Sequence, residues 1–316
     1  MSTTVPPAFD ENLLLDLPSP FKRVTIIGAG LIGGSFAWLM RERFGVEQLH
    51  ITLIDQNEKR LQLALLKGIA NVAQPQLPET FEGSHLVVLA THLDSNEALL
   101  PEVAKRIHGA DVLVTDVGSV KRGIVERGFE LLPNAFIGGH PMAGREKQGL
   151  ENASSLLFFQ KRFLITPHPD FKETRLLNQF KAFLELIGMV PVILDAPHHD
   201  EAMAYVSHLP QLYAVLLTNL IAQHKPGHLL SFHGGGIDDQ LRLAASPVEM
   251  WGPVYERNAD QMEIVLDEMI RLLQEMRAGL KNPDAMQQWF ETSNTIHTAY
   301  QQLKQQQLHP IKNTII

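Results

Sequence analysis

Val24-Thr25-Ile26-Ile27-Gly28-Ala29-Gly30-Leu31-Ile32-Gly33 is the stretch that decides the fold. An apolar, β-branched run stops at three glycines in G-x-G-x-x-G spacing, and residues 35–43 then read as a helix. Strand, tight turn and helix in that order make a common glycine pattern into a dinucleotide-binding fingerprint, because the pyrophosphate must approach bare backbone at a helix N-terminus. Gly28, Gly30, Leu31, Ile32 and Gly33 are therefore the expected cofactor contacts. Asp55 ends the next strand pattern, residues 50–54, about 20 residues past the third glycine. A carboxylate there accepts hydrogen bonds from the adenosine ribose and disfavours the extra phosphate of NADP, so NAD is the expected cofactor. An ordinary turn aspartate is the plain alternative. Lys59 and Arg60 follow closely and soften the discrimination, and Thr91 completes the cofactor set.

Outward from the fingerprint, β-branched runs recur at residues 23–27, 50–54, 85–89, 112–115, 135–138, 162–165 and 190–194, with helix-compatible segments between them. That alternation predicts a doubly wound, mostly parallel α/β sheet of Rossmann type over residues 21–196. From residue 197 the strand signal stops. Residues 200–224 are apolar on nearly every face, interrupted only by Pro210, and read as a buried, kinked helix. Met262, Val265, Leu266, Met269, Leu272, Leu273 and Met276 recur at helical spacing before Gly279. Asn282-Pro283 then supplies a cap and a first-turn proline for a last helix carrying Met286, Trp289, Phe290, Ser293, Ile296, Tyr300 and Leu303 on one side. Residues 197–316 are expected to be all-α, with so much apolar helix surface that they also form a homodimer interface. Residues 1–20 read as a loosely docked tail.

Composition narrows the chemistry. The chain has 316 residues, 45% of them hydrophobic, and no cysteine. Two globular domains fit that length, and disulfides, thiolate metal sites and thiol nucleophiles are excluded. No apolar run approaches the roughly 20 residues that span a bilayer, and the first 20 residues lack the basic start of a signal peptide, so a cytoplasmic protein is expected. A net charge of −8 argues against nucleic acid as a partner and requires a local cationic pocket for any anionic substrate. The histidines at 92, 198, 199, 224, 228 and 233 include one adjacent pair but no His-Glu-x-x-His, so no metal site is expected. Residues 256–260 read as a solvated helix face, and Met250 and Trp251 as core or pocket wall.

A second glycine-rich stretch, Gly138-Gly139-His140-Pro141-Met142-Ala143-Gly144-Arg145-Glu146, places an ionisable imidazole downstream of the fingerprint, a pairing that suits hydride transfer with a base. Together with Asp116-Val117-Gly118-Ser119-Val120-Lys121, Ser207-His208-Leu209-Pro210 and Arg242 nine residues before Trp251, these motifs make the chain resemble the prephenate dehydrogenases, which include cyclohexadienyl and arogenate dehydrogenases. The resemblance covers nearly all of residues 21–260, with no sign of an ACT domain or a fused chorismate mutase.

The resemblance implies NAD-dependent oxidative decarboxylation of prephenate to 4-hydroxyphenylpyruvate in tyrosine biosynthesis. His140 is then the catalytic base, and Ser119 holds His140 and the substrate hydroxyl in line. His208 contacts substrate, Arg242 binds the ring carboxylate, Asp239 orients Arg242, and Glu146 lines the pocket entrance. Any inhibition by tyrosine would be competitive. Two departures concern specificity: Gln211 stands where many relatives carry a second histidine, and Ile237-Asp238-Asp239-Gln240-Leu241 differs from the usual segment. A neutral Gln211 and an added Asp238 would admit the ammonium group of arogenate. Two rivals remain: a β-hydroxyacid-type dehydrogenase, which would want a catalytic lysine that the helical region does not offer before Lys225, and a non-catalytic dinucleotide-binding sensor.

Overall fold

A computed structural model describes residues 17–107, 111–144 and 147–307. By packing it divides into a unit that runs to Met262 and a helical unit from Glu263 onward. The first unit is built on an eight-stranded sheet in the order β3-β2-β1-β4-β5-β6-β7-β8. Its strands are β1 Arg23–Ile27, β2 His50–Ile54, β3 Val72–Gln74, β4 Leu86–Leu89, β5 Leu113–Asp116, β6 Phe136–Pro141, β7 Arg162–Thr166 and β8 Val190–Ile193. Strands β1 to β6 are parallel in the 3-2-1-4-5-6 order of dinucleotide-binding folds. β7 then joins β6 antiparallel, and β8 joins β7 parallel.

Residues alternate between the two faces of each strand, and both faces are buried, which is why the strands read as continuous apolar runs. On one face Val24, Ile26, Ile51, Leu53, Val88, Phe163 and Ile165 pack with Phe36, Met40 and Phe44 of α1 (Leu31–Gln48). On the other, Ile27, Val87, Leu89, Val114 and Phe136 form a second core. The helices α2 (Glu58–Leu66), α3 (Leu93–Ala104), α4 (Arg122–Leu131) and α5 (Thr174–Leu186) complete the layers. Leu100 and Val103 of α3, with Ile124 and Val125 of α4, fill the second core.

After β8 the first unit is helical: α6 Ala196–Met203, a π-type turn Ala204–His208, α7 Leu209–Ala222, α8 Pro226–Leu230, α9 Gly235–Ala244 and α10 Val248–Arg257. α11 (Ala259–Gly279) carries the chain across the division, and α12 (Pro283–Gln307) lies in the second unit. Asn282 Oδ1 accepts from the Asp284 and Ala285 N–H groups, so the expected cap forms. Phe290, Ile296, Tyr300 and Leu303 of α12 are exposed.

Two expectations are corrected. The kink before Pro210 is a π turn in which the Leu209 N–H bonds the Ala204 carbonyl five residues back. The helix that follows is also not buried within one chain, since in α7 only Gln211 and Ala214 are buried while Tyr213, Leu216 and Leu220 are exposed. Residues 1–16 of the expected tail lie outside the described residues, as does Glu146. No helix among the described residues is long and apolar enough to cross a membrane.

Candidate active site

The carboxyl ends of β1, β2, β4, β5 and β6 bring the chemistry-bearing residues to one edge of the sheet. Gly28 turns with φ +109° and donates its N–H to Ile54 O at 2.7 Å. A Cβ there would collide with the Ala90 carbonyl, and one at Gly33 would collide with the Gly28 carbonyl, so both turns demand glycine. A Cβ at Gly30, by contrast, would meet nothing within 4 Å, which leaves a bare backbone cradle at the start of α1, next to Leu31 and Ile32. Asp55 braces this turn: Oδ2 accepts from the Ala29 N–H and Oδ1 from the Asn57 N–H, each at 2.8 Å. A carboxylate keeps further lone pairs for a ribose. Arg60 Nη1 lies 3.7 Å from Asp55 Oδ2. Beyond β4, Thr91 donates its N–H (3.0 Å) and Oγ1 (2.6 Å) to Asn96 Oδ1, and Asn96 is anchored on Leu89 O.

Between β5 and β6, Asp116 acts as a buried clamp. Its carboxylate accepts the N–H groups of Gly118 (2.7 Å) and Gly139 (3.1 Å), tying the Ser119 turn to the strand that carries His140. The Lys121 ammonium is fully buried, pairs with Asp116 and donates to Gly139 O at 2.9 Å. Burial pulls this ammonium below the ordinary lysine value, against the opposing pull of Asp116. Removing one partner of such a pair costs about 3–5 kcal/mol, so Lys121 is first a structural brace for the loop.

His140 is half-buried, and its Nδ1 lies 2.9 Å from Nε2 of the fully buried His199. Burial, and then the neighbouring His199, Lys121 and His208, hold the His140 imidazole well below its ordinary pKa, so it is neutral at pH 7. His199 Nδ1 in turn lies 2.8 Å from Asp200 Oδ1. Both residues are delivered by α6, whose first turn is capped by Asp195 accepting the His198 N–H at 2.8 Å. Asp200 is fully buried, which alone would raise its pKa. The hydrogen bonds from His199 and from the Arg122 and Lys121 N–H groups outweigh that and hold it below the usual carboxylate range.

The same network reaches His208 through Asn258, whose Nδ2 donates to Asp200 O at 2.8 Å and lies 3.2 Å from His208 Nδ1. An amide donor at Nδ1 places the His208 proton on Nε2, a buried N–H with no partner among the described residues. Trp251 Nε1 is a second such donor, and its ring meets His208 edge-on with centroids 6.0 Å apart. Burial lowers the His208 pKa to about 4. Both N–H groups keep their donor capacity for an oxygen acceptor.

Comparison with known proteins bears on this arrangement. Residues 39–193 match the family model described as "Prephenate dehydrogenase, nucleotide-binding domain", and residues 195–294 match "Prephenate dehydrogenase, dimerization domain". This chain belongs to the prephenate dehydrogenase family. The prephenate dehydrogenase of Bacillus subtilis is 28% identical over 266 residues, covering 83% of this chain and 71% of the relative. The cyclohexadienyl dehydrogenase of Zymomonas mobilis is 26% identical over 268 residues, covering 84% and 90%. The crystal structure of the Aquifex aeolicus prephenate dehydrogenase, in complex with hydroxyphenyl propionate and NAD+, superposes with a TM-score of 0.80 at 25% identity, covering 89% of this chain and 98% of that one.

Seen as a prephenate dehydrogenase family member, the chain brings some expected site residues together and leaves others apart. His140 and His208 share one network. Ser119 lies half-buried on the clamped turn, but among the described residues the hydrogen bond that fixes the His140 ring comes from His199. Gln211 is buried and donates its amide to Leu243 O at 2.8 Å, so it ties α7 to α9 rather than presenting that amide to a substrate. Arg242 is exposed on α9, with Nε 3.8 Å from Asp239 Oδ1. Residues 256–260 are not a purely solvated face: Asn258 is fully buried, Arg257 forms a two-pronged pair with Glu97, and Asp260 pairs with Arg122. Sequence reading missed His199, Asp200 and Asn258. Nothing in the sequence separates His199 from the other five histidines of that group; only the structure does, burying His199 and exposing the rest.

Proposed function

We propose that this protein catalyses the NAD-dependent oxidative decarboxylation of prephenate to 4-hydroxyphenylpyruvate. The observation that carries the reading is a neutral His140 held at Nδ1, with Nε2 left as its remaining proton-accepting atom, in the same hydrogen-bonded network as His208. The Gly28–Gly33 turn and Asp55 fit a dinucleotide, given the glycine-only turns and the open backbone at Gly30. When bound, NAD supplies a nicotinamide that takes hydride from the ring carbon bearing the hydroxyl. As that electron pair leaves, the pair of the bond to the ring carboxylate enters the ring, carbon dioxide departs, and aromaticity drives the step.

The product is a phenol, so the hydroxyl proton is not consumed. His140 polarises the O–H by accepting its hydrogen bond or its proton and then returns what it took. Ser119 aligns the hydroxyl, His208 donates to the substrate, and Arg242 recognises a carboxylate through charge-assisted hydrogen bonds. Asp239 steadies Arg242, and Glu146 belongs at the pocket mouth. Arogenate, which differs in bearing an ammonium group, is the second substrate of this reading. Its support is weaker than the sequence suggests, because the Gln211 amide is spent on Leu243.

The organisation that accompanies this function is a nucleotide-binding domain over residues 21–196 and a helical substrate domain over residues 197–316. The exposed Tyr213, Leu216 and Leu220 of α7 support a homodimer through that helical part, and the enzyme is assigned to the cytoplasm. NADH formation from NAD with prephenate or arogenate tests the reading. Turnover with either upholds it and ranks the substrates, whereas folded, NAD-binding protein that turns over neither would restore the hydroxyacid-dehydrogenase and sensor readings.

A further inference from the structure

A histidine can accept a proton at Nε2 only while its own proton sits on Nδ1, and something must keep it there. Around His140 the donors and acceptors run in one direction. Asp200 Oδ1 accepts the Lys121 N–H at 2.7 Å, and Oδ2 accepts the Arg122 N–H at 3.0 Å and Arg122 Nε at 3.1 Å. A carboxylate surrounded by so many donors is ionised and has no proton to give. His199 must then carry its proton on Nδ1, 2.8 Å from Asp200, with its lone pair on Nε2. His140 Nδ1, 2.9 Å from that lone pair, must be the donor, and the His140 lone pair falls on Nε2.

We infer that His199 is a positioning residue which, oriented by Asp200, fixes His140 in its proton-accepting tautomer for the decarboxylation proposed above, on which this inference rests. His199 itself touches no reacting atom. Its two ring nitrogens are spent, one on Asp200 and one on His140. When the substrate O–H gives its proton to His140 Nε2, the resulting imidazolium donates from Nδ1 to a neutral acceptor whose far side is an anion. After carbon dioxide has left, the phenolate oxygen takes the proton back. His199 and Asp200 end the cycle with the protons they began with. The buried Lys121 opposes positive charge on both rings, so neither holds the proton between turnovers.

A merely structural His199 would fill space and no more, and two substitutions separate the cases. His199→Phe keeps an aromatic ring in the site but removes the acceptor. His199→Gln can donate its amide N–H to Asp200 and offer its carbonyl oxygen to His140. We expect His199→Phe to lower kcat by about 10- to 100-fold, the range for loss of a partner that orients a functional histidine, with KM for prephenate and for NAD unchanged. His199→Gln is expected to recover most of that loss. In the wild-type protein labelled with ¹⁵N-histidine, the ring-nitrogen shifts at pH 7 should place the His140 proton on Nδ1. The Phe variant should show a mixture or the Nε2–H form.

Wild-type kcat in the Phe variant, equal losses in Phe and Gln, or a wild-type His140 protonated at Nε2 would each overturn the inference. Should the Phe variant fail to fold, the wild-type shifts and the Gln variant still decide. The ¹⁵N measurement needs no turnover, so wild-type protein that shows the Nδ1–H tautomer yet makes no NADH from prephenate would sink the function and not the geometry.

Discussion

His140 and Arg242, which the proposed function sets on one substrate, sit in opposite surroundings. The His140 strand is clamped by Asp116 and Lys121, and its ring is held by His199 at 2.9 Å. Arg242 projects from α9 with its side chain 53% exposed and a 3.8 Å approach to Asp239. The difference follows from the two tasks. A proton acceptor needs one tautomer and one direction, which only a packed network supplies. A carboxylate anchor needs charge at the end of an arm that an incoming anion can reach. On this chain of net charge −8, an exposed guanidinium also provides the local attraction that an anionic substrate requires.

The contrast can be broken most severely at the rigid end. His140→Asn should lower kcat by roughly 10²- to 10⁴-fold, the range for a lost general base, while NAD binding measured by fluorescence titration is retained; near-normal turnover would place the base elsewhere. Acid offers a second route. His208 has its pKa lowered to about 4 from an ordinary value near 6.5, so the unfolded chain takes up a proton that the folded chain refuses. Stability is therefore full above about pH 6.5 and falls as the pH drops toward 4, by about 3 kcal/mol for this group. His140 and His199 are shifted in the same direction and add to the loss. Denaturant midpoints at pH 7, 5.5 and 4 check this, and a flat profile would mean that the histidines are solvated.

At the open end, Arg242→Gln should raise KM for prephenate by about 10- to 100-fold with kcat little changed, as expected when a charge-assisted binding contact is lost. A loss in kcat at constant KM would move Arg242 into the transition state and erase the contrast. The smallest expected effect is at the cofactor turn. Asp55→Asn should raise KM for NAD by roughly tenfold or less, the scale of one hydrogen bond to a charged group, and should narrow the gap between NAD and NADP with Arg60 nearby. An unchanged preference would reduce Asp55 to a brace for Ala29.

Legibility in the sequence follows the same division. The nucleotide-binding half announces itself because its signals are local: apolar runs at strand spacing and glycines that no other residue can replace. What escaped was non-local. β3 is three residues long and has no apolar run to mark it, and the reversal of β7 against β6 leaves no trace in the composition of either strand. His199 read only as half of a sequence-adjacent pair, because its partner lies 59 residues away on another element. Asn258 hid in a run of charges whose members turn inward to Glu97, Asp94 and Arg122. Gln211 shows the same non-local dependence, since its amide serves the Leu243 carbonyl 32 residues away, a partner that the apolar helix around it does not announce.

The π turn at Ala204–His208 is, in genetic terms, a helix with one codon too many. A substitution that drew this turn back into ordinary α geometry with all five residues kept would overwind it by about one residue. Everything downstream would then rotate by about 100° relative to α6, the angle of one helical residue. His208 would swing away from Asn258, and α7 would present a different set of side chains outward. A change that leaves the composition and helicity of the segment almost untouched would thus uncouple the orphan donor of His208 from the network that holds His140, so the reading frame of this single turn is as much a part of the site as any side chain in it.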